Sequence, residues 1–252
     1  MKVVCVVQAR MASSRLPGKV MLKLAGEPVL SHVLSRARRI SGVDQVLVAT
    51  TRNPEDDLIS DWASAEKVEV FRGSEDNVVE RLLLAADFFG GTHLARVTAD
   101  CPLIDPAVCD AVITACLEED ADFGSNYLPP TYPDGLDFSL TKVDVLKSLS
   151  ESGLNKHDRE HVTTVFEKNP ERFRTINVSS DVDLSGQRWT LDNYEDLIFL
   201  RALLEKVRDA DLGTDYGTIL RTLRENPEIA SLQSNMMRNY GHIGKNAPHN
   251  SE

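Results

Sequence analysis

A short apolar run, residues 3–7, leads straight into QARMASSRLPGK at residues 8–19, and this junction constrains the chain more than any other segment. An apolar run with no polar alternation reads as a strand buried on both faces, as in a parallel sheet covered by helices. The segment after it gathers Arg10, Arg15 and Lys19 around Ser13, Ser14 and Gly18, with no acidic residue among them. Small residues let the backbone approach an anion, and cations neutralise its charge. The carboxyl end of a parallel strand is where such sites lie. The segment therefore reads as a phosphate-binding loop, with a solvated basic loop as the alternative.

Charge distribution favours the first reading. The whole chain is acidic, net −11, yet residues 1–39 hold eight Lys or Arg against the single acid Glu27. The remaining 213 residues carry net −18. A cationic island in an acidic chain points to an anionic ligand. The same acidity argues against bulk nucleic-acid binding, which needs a basic face. No run approaches the roughly 20 apolar residues that span a bilayer, and the N-terminus lacks a secretory pattern. The four cysteines, Cys5, Cys101, Cys109 and Cys116, show no metal-ligand spacing and read as buried thiols of a cytoplasmic protein.

Strand and helix patterns alternate through the first half. Strands are expected at 3–7, 45–50, 68–71 and 93–98, with helices near 28–37, 54–65, 77–88 and 106–117, the last capped by Asp105. This βαβα order predicts a three-layer α/β sandwich with a mostly parallel sheet. After residue 122 the pattern changes. Strands are expected at 123–126, 136–140, 173–178 and 188–191, and helices at 143–149, 157–168, 194–207 and 214–224. TYPDGLDF, residues 131–138, suggests a projecting hairpin. One domain over 1–232 with an insertion at about 126–180 fits best, followed by a polar tail over 233–252.

Ligands of open α/β sheets bind beyond the carboxyl ends of the strands, so polar residues there are site candidates. The third strand leads into Arg72, Gly73, Ser74 and Asp76, suited to nucleotide contacts or to capping the next helix. The fourth ends at Asp100 in TADCPLID, and the strand of RWTLDNYEDL ends at Asp192. Two strand-end carboxylates facing a triphosphate suit Mg²⁺, which takes one or two carboxylates plus phosphate oxygens and water. Turn formation for Asp100 and helix capping near Asp192 are the alternatives. Asp120 and Asp122 have a D-x-D spacing but lie at the wrong edge and read as a solvated helix end. Asp137 in TYPDGLDF suits sugar hydroxyls or a dimer contact; Glu160 and His161 in HDREH suit a polyhydroxylated substrate or a partner chain, with a helix N-terminal charge cluster as the reading that spacing alone favours.

QARMASSRLPGK, TADCPLIDP, SNYLPPTYPDGLD, KHDREHVT with NPERF, and RWTLDNYEDL, in this order, resemble the cytidylyltransferase family that includes CMP-Kdo and CMP-acylneuraminate synthetases, in its spore-coat-polysaccharide branch. The resemblance runs from residue 3 to about 208. It implies a Rossmann-like nucleotidyltransferase fold, CTP, Mg²⁺, a small sugar acceptor and a homodimer. Arg10, Ser14, Arg15 and Lys19 would hold the triphosphate, with Lys19, Arg15 and Asp100 acting in catalysis. Asp100 and Asp192 would bind Mg²⁺, while Arg72, Ser74 and Asp76 would contact nucleotide or sugar. The implied reaction moves CMP from CTP to a sugar, an acidic 2-keto sugar being favoured, and releases pyrophosphate. The alternatives are a glycosyltransferase using a nucleotide sugar and a non-catalytic nucleotide-binding protein. One departure stands out: after PDGLD the branch has an acidic-apolar run, where this chain has Phe138-Ser139-Leu140-Thr141.

Overall fold

The computed structural model describes residues 1–210 and 213–233. In chain order the strands are β1 (Val3–Gln8), β2 (Lys23–Leu24), β3 (Glu27–Pro28), β4 (Gln45–Thr51), β5 (Glu69–Gly73), β6 (His93–Thr98), β7 (Phe123–Ser125), β8 (Ser139–Lys142) and β9 (Thr175–Asn177). The helices are α1 (Val29–Ala37), α2 (Asp57–Ala65), α3 (Val78–Phe88), α4 (Pro106–Glu118), α5 (Val143–Glu151), α6 (Lys156–Glu160), α7 (Thr164–Lys168), α8 (Tyr194–Asp209), α9 (Tyr216–Glu225) and α10 (Pro227–Ala230). Seven strands form one sheet in the order β5-β4-β1-β6-β8-β7-β9, and β2 and β3 make a separate small hairpin. Within the large sheet only β8 runs against the others.

The apolar run of β1 explains the layers. Val3, Cys5 and Val7 pack with Leu30 and Val33 of α1 and Val112 of α4 on one face. Val4 and Val6 pack with Val79 and Leu82 of α3 on the other. A third cluster joins Leu24, Leu103, Trp189 and Leu191 to α8 and α9, placing those helices beside the carboxyl edge of the sheet. Strand β1 pairs with β4 on one side and β6 on the other, so the chain reverses its direction of travel across the sheet between β1 and β6. That crevice is where open α/β sheets bind ligands.

The first half follows the sequence reading, with Asp105 capping α4 through the amides of Ala107 and Val108. Four later expectations need correction. The apolar stretch 136–140 is ladder-paired only from Ser139, because the Asn126 side chain takes the Leu136 carbonyl and the Phe138 amide. TYPDGLDF does not project: Tyr132, Leu136 and Phe138 are buried. The helix expected over 157–168 is two short helices. The Thr164 amide and hydroxyl take the His161 carbonyl, which a continuous helix would give to the Val165 amide. Residues 188–191 are extended but unpaired except for one bridge, Asp134 to Arg188. Of the polar tail, residues from 234 onward lie outside the described residues. No helix among the described residues is long and apolar enough to cross a membrane.

Candidate active site

The loop after β1 is shaped by its own backbone. Gly18 adopts φ +70°, a left-handed conformation that glycine takes without penalty, and its amide bonds the Met11 carbonyl at 2.9 Å. Buried Asp56 fixes the loop's base, accepting from the Met11 amide at 2.6 Å and from the Thr51 amide and hydroxyl. A single turn of 3₁₀ helix, Lys19–Met21, then turns Lys19 inward. Its ammonium donates to Asp100 Oδ2 at 2.5 Å and to Asp192 Oδ1 at 2.8 Å. Arg15 meets the same Asp192 oxygen at 2.7 Å. Three residues far apart in sequence thus converge on one point beyond the crevice.

Asp100 follows β6 directly, while Asp192 arrives by another route. The extended segment before it is sewn to the sheet edge by Trp189 N to the Asp134 carbonyl, 2.7 Å, and Leu191 N to the Asp100 carbonyl, 2.8 Å. Its passage needs Gly135: a Cβ there would stand 2.7 Å from the Trp189 carbonyl carbon and the Thr190 nitrogen. Beyond it Asn193 and Asp196 form a reciprocal capping box that starts α8. Capping near Asp192 is therefore done by Asn193, which leaves the Asp192 carboxylate for the cations.

Arg188 completes the cluster. It reaches Asp134 at 2.8 Å, Asp192 Oδ2 at 2.9 Å and Asp196 at 3.0 Å. Burial alone would lower its pKa, but these carboxylates outweigh burial and raise it. At Lys19, burial likewise works downward, and the Asp100 and Asp192 charges overcome it. Burial would push both carboxyls up, yet the Lys19 ammonium holds Asp100, and Lys19 with Arg15 holds Asp192, below the ordinary Asp value. The side chains of Lys19, Asp100 and Asp192 are 11%, 24% and 20% exposed, so solvent screens these pairs weakly. Cys101 stands beside Asp100 as a thiol. Burial and the Asp100 charge raise its pKa well above normal, which disfavours a thiolate nucleophile.

The donor set fits a hard divalent cation. Two carboxylates from separate segments already share the Lys19 ammonium, and Asp192 also meets Arg15 and Arg188. No cluster of three or more His, Cys, Asp or Glu suited to a metal occurs among the described residues. Mg²⁺ needs none, since it completes its shell with phosphate oxygens and water.

Other expected residues lie around this centre. Ser14 is exposed on the loop, and Arg10 stands 4.0 Å from Glu75. Arg72 is committed to scaffolding, bonding the Thr51 and Asn53 carbonyls and Asp57. Ser74 accepts the Asn77 amide, Asp76 is exposed, and Asn77 rather than either caps α3. Asp137 is half-buried, near enough to Cys101 and Tyr127 to influence both. Glu160 and His161 close α6, with the His157 and His161 rings 4.5 Å apart. Asp120 and Asp122 bind Lys142, as expected of a solvated helix end. The sequence reading overlooked Arg188 and Asp56. Arg188 had a signal, an arginine four and eight residues before Asp192 and Asp196; Asp56 had none beyond a loop acid.

Sheet order, covering helices and a cation–carboxylate cluster at the reversal point define a Rossmann-like α/β protein of nucleotidyltransferase type. Residues 4–214 match the family model described as cytidylyltransferase, and the chain belongs to that family. It is 32% identical over 239 residues to the uncharacterized protein MJ1063 of Methanocaldococcus jannaschii, covering 94% of this chain and 96% of that one. It is 27% identical to spore coat polysaccharide biosynthesis protein SpsF of Bacillus subtilis, over 90% and 95%. A 3-deoxy-manno-octulosonate cytidylyltransferase of Geobacter sulfurreducens is 33% identical over 48% of each chain. Among solved structures, a cytidylyltransferase from Leptospira borgpetersenii superposes with TM-score 0.87 at 30% identity, covering 93% of this chain and 98% of that one.

Proposed function

We propose that this chain transfers CMP from CTP to the hydroxyl of an acidic 2-keto sugar and releases pyrophosphate, serving surface polysaccharide or glycoconjugate synthesis. The observation that carries the reading is Lys19 bridging Asp100 and Asp192 beneath the basic loop. Family membership supports cytidylyl chemistry, and the octulosonate enzyme similar to part of the chain supports a sugar acid as acceptor. Residues 1–232 act in this reading as one domain, with the insertion at 126–180 on the acceptor side, in a homodimeric cytoplasmic enzyme.

The acceptor hydroxyl attacks the α-phosphorus in line, an oxygen–phosphorus bond forms, and the bond to the β-phosphate bridge oxygen breaks. The hydroxyl proton leaves to solvent and pyrophosphate departs. Arg10, Ser14, Arg15 and the backbone around Gly18 hold the triphosphate. Lys19 offsets the charge that grows on the leaving group. Asp100 and Asp192 would hold Mg²⁺, which supplies Lewis-acid polarisation of the α-phosphate when bound. Arg188 orients the Asp192 carboxylate, and Asp196 holds the Asp192 backbone amide.

A pyrophosphate-release screen tests this: four nucleoside triphosphates against a panel of sugar acids and neutral sugars, with and without Mg²⁺. Release with CTP, a sugar acid and Mg²⁺ is expected. Nucleotide bound but never consumed, or free nucleoside diphosphate released from a nucleotide sugar, would overturn the reading.

A further inference from the structure

Strand β6, HLARVT, places an arginine in the middle of the sheet, beside the apolar core of β1. Arg96 stands opposite Val6 on β1 and Ser139 on β8, so it shares a face with Gln8 at the end of β1. Among the described residues its guanidinium bonds the Gln8 side-chain oxygen, at 3.3 Å from Nε and 3.2 Å from a terminal nitrogen. That partner is a neutral amide. Among the described residues no carboxylate lies within salt-bridge distance of Arg96.

A second arginine makes the arrangement stranger. Arg81 of α3 is completely buried, and one terminal nitrogen bonds the Ser74 carbonyl. Its Nε and its other terminal nitrogen have no hydrogen-bond partner among the described residues. Burial first, then the like charges of Arg10 and Arg96, lower its pKa to about 10. The acids nearby are already engaged. Asp56 is used by the Met11 and Thr51 groups, and Glu75 accepts from the Asn53 amide at 2.6 Å. Buried donors left unpaired are costly, and like charges gathered in low dielectric are costly again, unless an anion joins them. On the insertion side, Tyr127 is close enough for Arg96 to act on its ionisation.

Position says which anion. Arg96 lies two rungs, about 7 Å, below the last rung of β6, and Asp100 follows two residues beyond that rung. It stands on the side of β1 away from β4, toward β8 and the insertion. Lys19 and Arg15 already serve the triphosphate loop. A planar guanidinium beside an amide matches the flat, two-oxygen geometry of a carboxylate. We infer that Arg96, backed by Arg81 and Gln8, is the group that recognises the carboxylate of the acceptor and so restricts this enzyme to sugar acids. The inference rests on the cytidylyl-transfer reading and assigns a residue to its acceptor.

The test compares the best sugar acid from the screen with its carboxamide, using wild type, Arg96→Gln and Arg96→Lys. Wild type is expected to prefer the acid strongly. Arg96→Gln should raise the acid's KM by about 10²-fold and level the acid–amide preference. Its CTP affinity, measured by calorimetry, should stay within about twofold, since Lys19 and Arg15 are untouched. Arg96→Lys keeps the charge without the fork, so it should retain acid preference at an intermediate KM. It reports on recognition even if the glutamine variant folds poorly. The inference is overturned if Arg96→Gln leaves the acid–amide ratio unchanged, or if CTP affinity falls in step with acceptor affinity. Absence of transfer with every acceptor would instead sink the parent reading, whereas transfer to neutral sugars as readily as to acids would sink the Arg96 assignment together with the sugar-acid acceptor and leave cytidylyl transfer standing.

Discussion

The two flanks of the crevice deliver their aspartates by different means. On one flank, β1, β4, β5 and β6 are five to seven residues long, all parallel, and Asp100 simply follows the end of β6. On the other flank, β7, β8 and β9 have three or four residues each, and Asp192 travels on a segment held by one bridge and by the Leu191 amide on the Asp100 carbonyl. Side chains there replace the ladder: Asn126 pins the backbone at Leu136 and Phe138, and Arg188 gathers Asp134, Asp192 and Asp196. A ladder fixes a backbone wherever apolar residues pack on both faces. A side-chain network fixes one particular path, and its failure is more local.

Removing the ladder-borne carboxylate has the largest expected effect. Asp100→Asn should lower kcat by about 10³-fold or more while the far-ultraviolet circular dichroism spectrum stays unchanged, because the change is one of charge rather than shape. Near-normal turnover would remove Asp100 from the reaction. Gly135→Ala attacks the other flank through its backbone. The new methyl meets backbone atoms of Trp189 and Thr190 at 2.7 Å, at a φ of +108°. Denaturant titration should show a loss of about 2–4 kcal/mol, with turnover falling as the Asp192 segment is displaced. Wild-type stability in this variant would mean that the segment has another route.

The smallest effect is one of pH. The two carboxyls at Lys19 are held below the ordinary value of 3.8, so their contribution is complete above that pH and fades as pH falls through the depressed values. Lys19 is raised above 10.5, so its contribution is complete below that pH and fades only as pH climbs through the raised value. In Lys19→Met burial acts on the Asp100 carboxyl without its counterion and pushes it up, so the stability gap between wild type and variant should be full at pH 7 to 9 and narrow as pH falls through the variant's raised carboxyl value. A gap that stays unchanged down to pH 4 would contradict the role of Lys19 in holding Asp100 ionised.

The same contrast decides what was legible in the sequence. Strand β1, the basic loop, Asp100 and the Asp105 cap could be read because burial on both faces and helix capping leave local marks. On the second flank the marks mislead. Leu136 and Phe138 have a strand's alternation and burial, but their hydrogen bonds go to a side chain ten to twelve residues away. The stretch 157–168 has a helix's composition, but the Thr164 hydroxyl interrupts the bonding. Asp192 was found by its place next to a helix start, although the strand expected before it is not paired as one. Arg81 and Arg96 were invisible as a pair, because nothing local brings residues fifteen apart onto neighbouring elements.

Lys19 gives the centre its own resident counterion. An isolated metal ion reaching Asp100 and Asp192 must evict an ammonium bonded at 2.5 and 2.8 Å. In the proposed reaction a nucleotide bringing that ion would offer the ammonium a replacement set of phosphate oxygens. Loading would thereby be tied to the incoming triphosphate, with the two acids guarded against stray cations until it arrives.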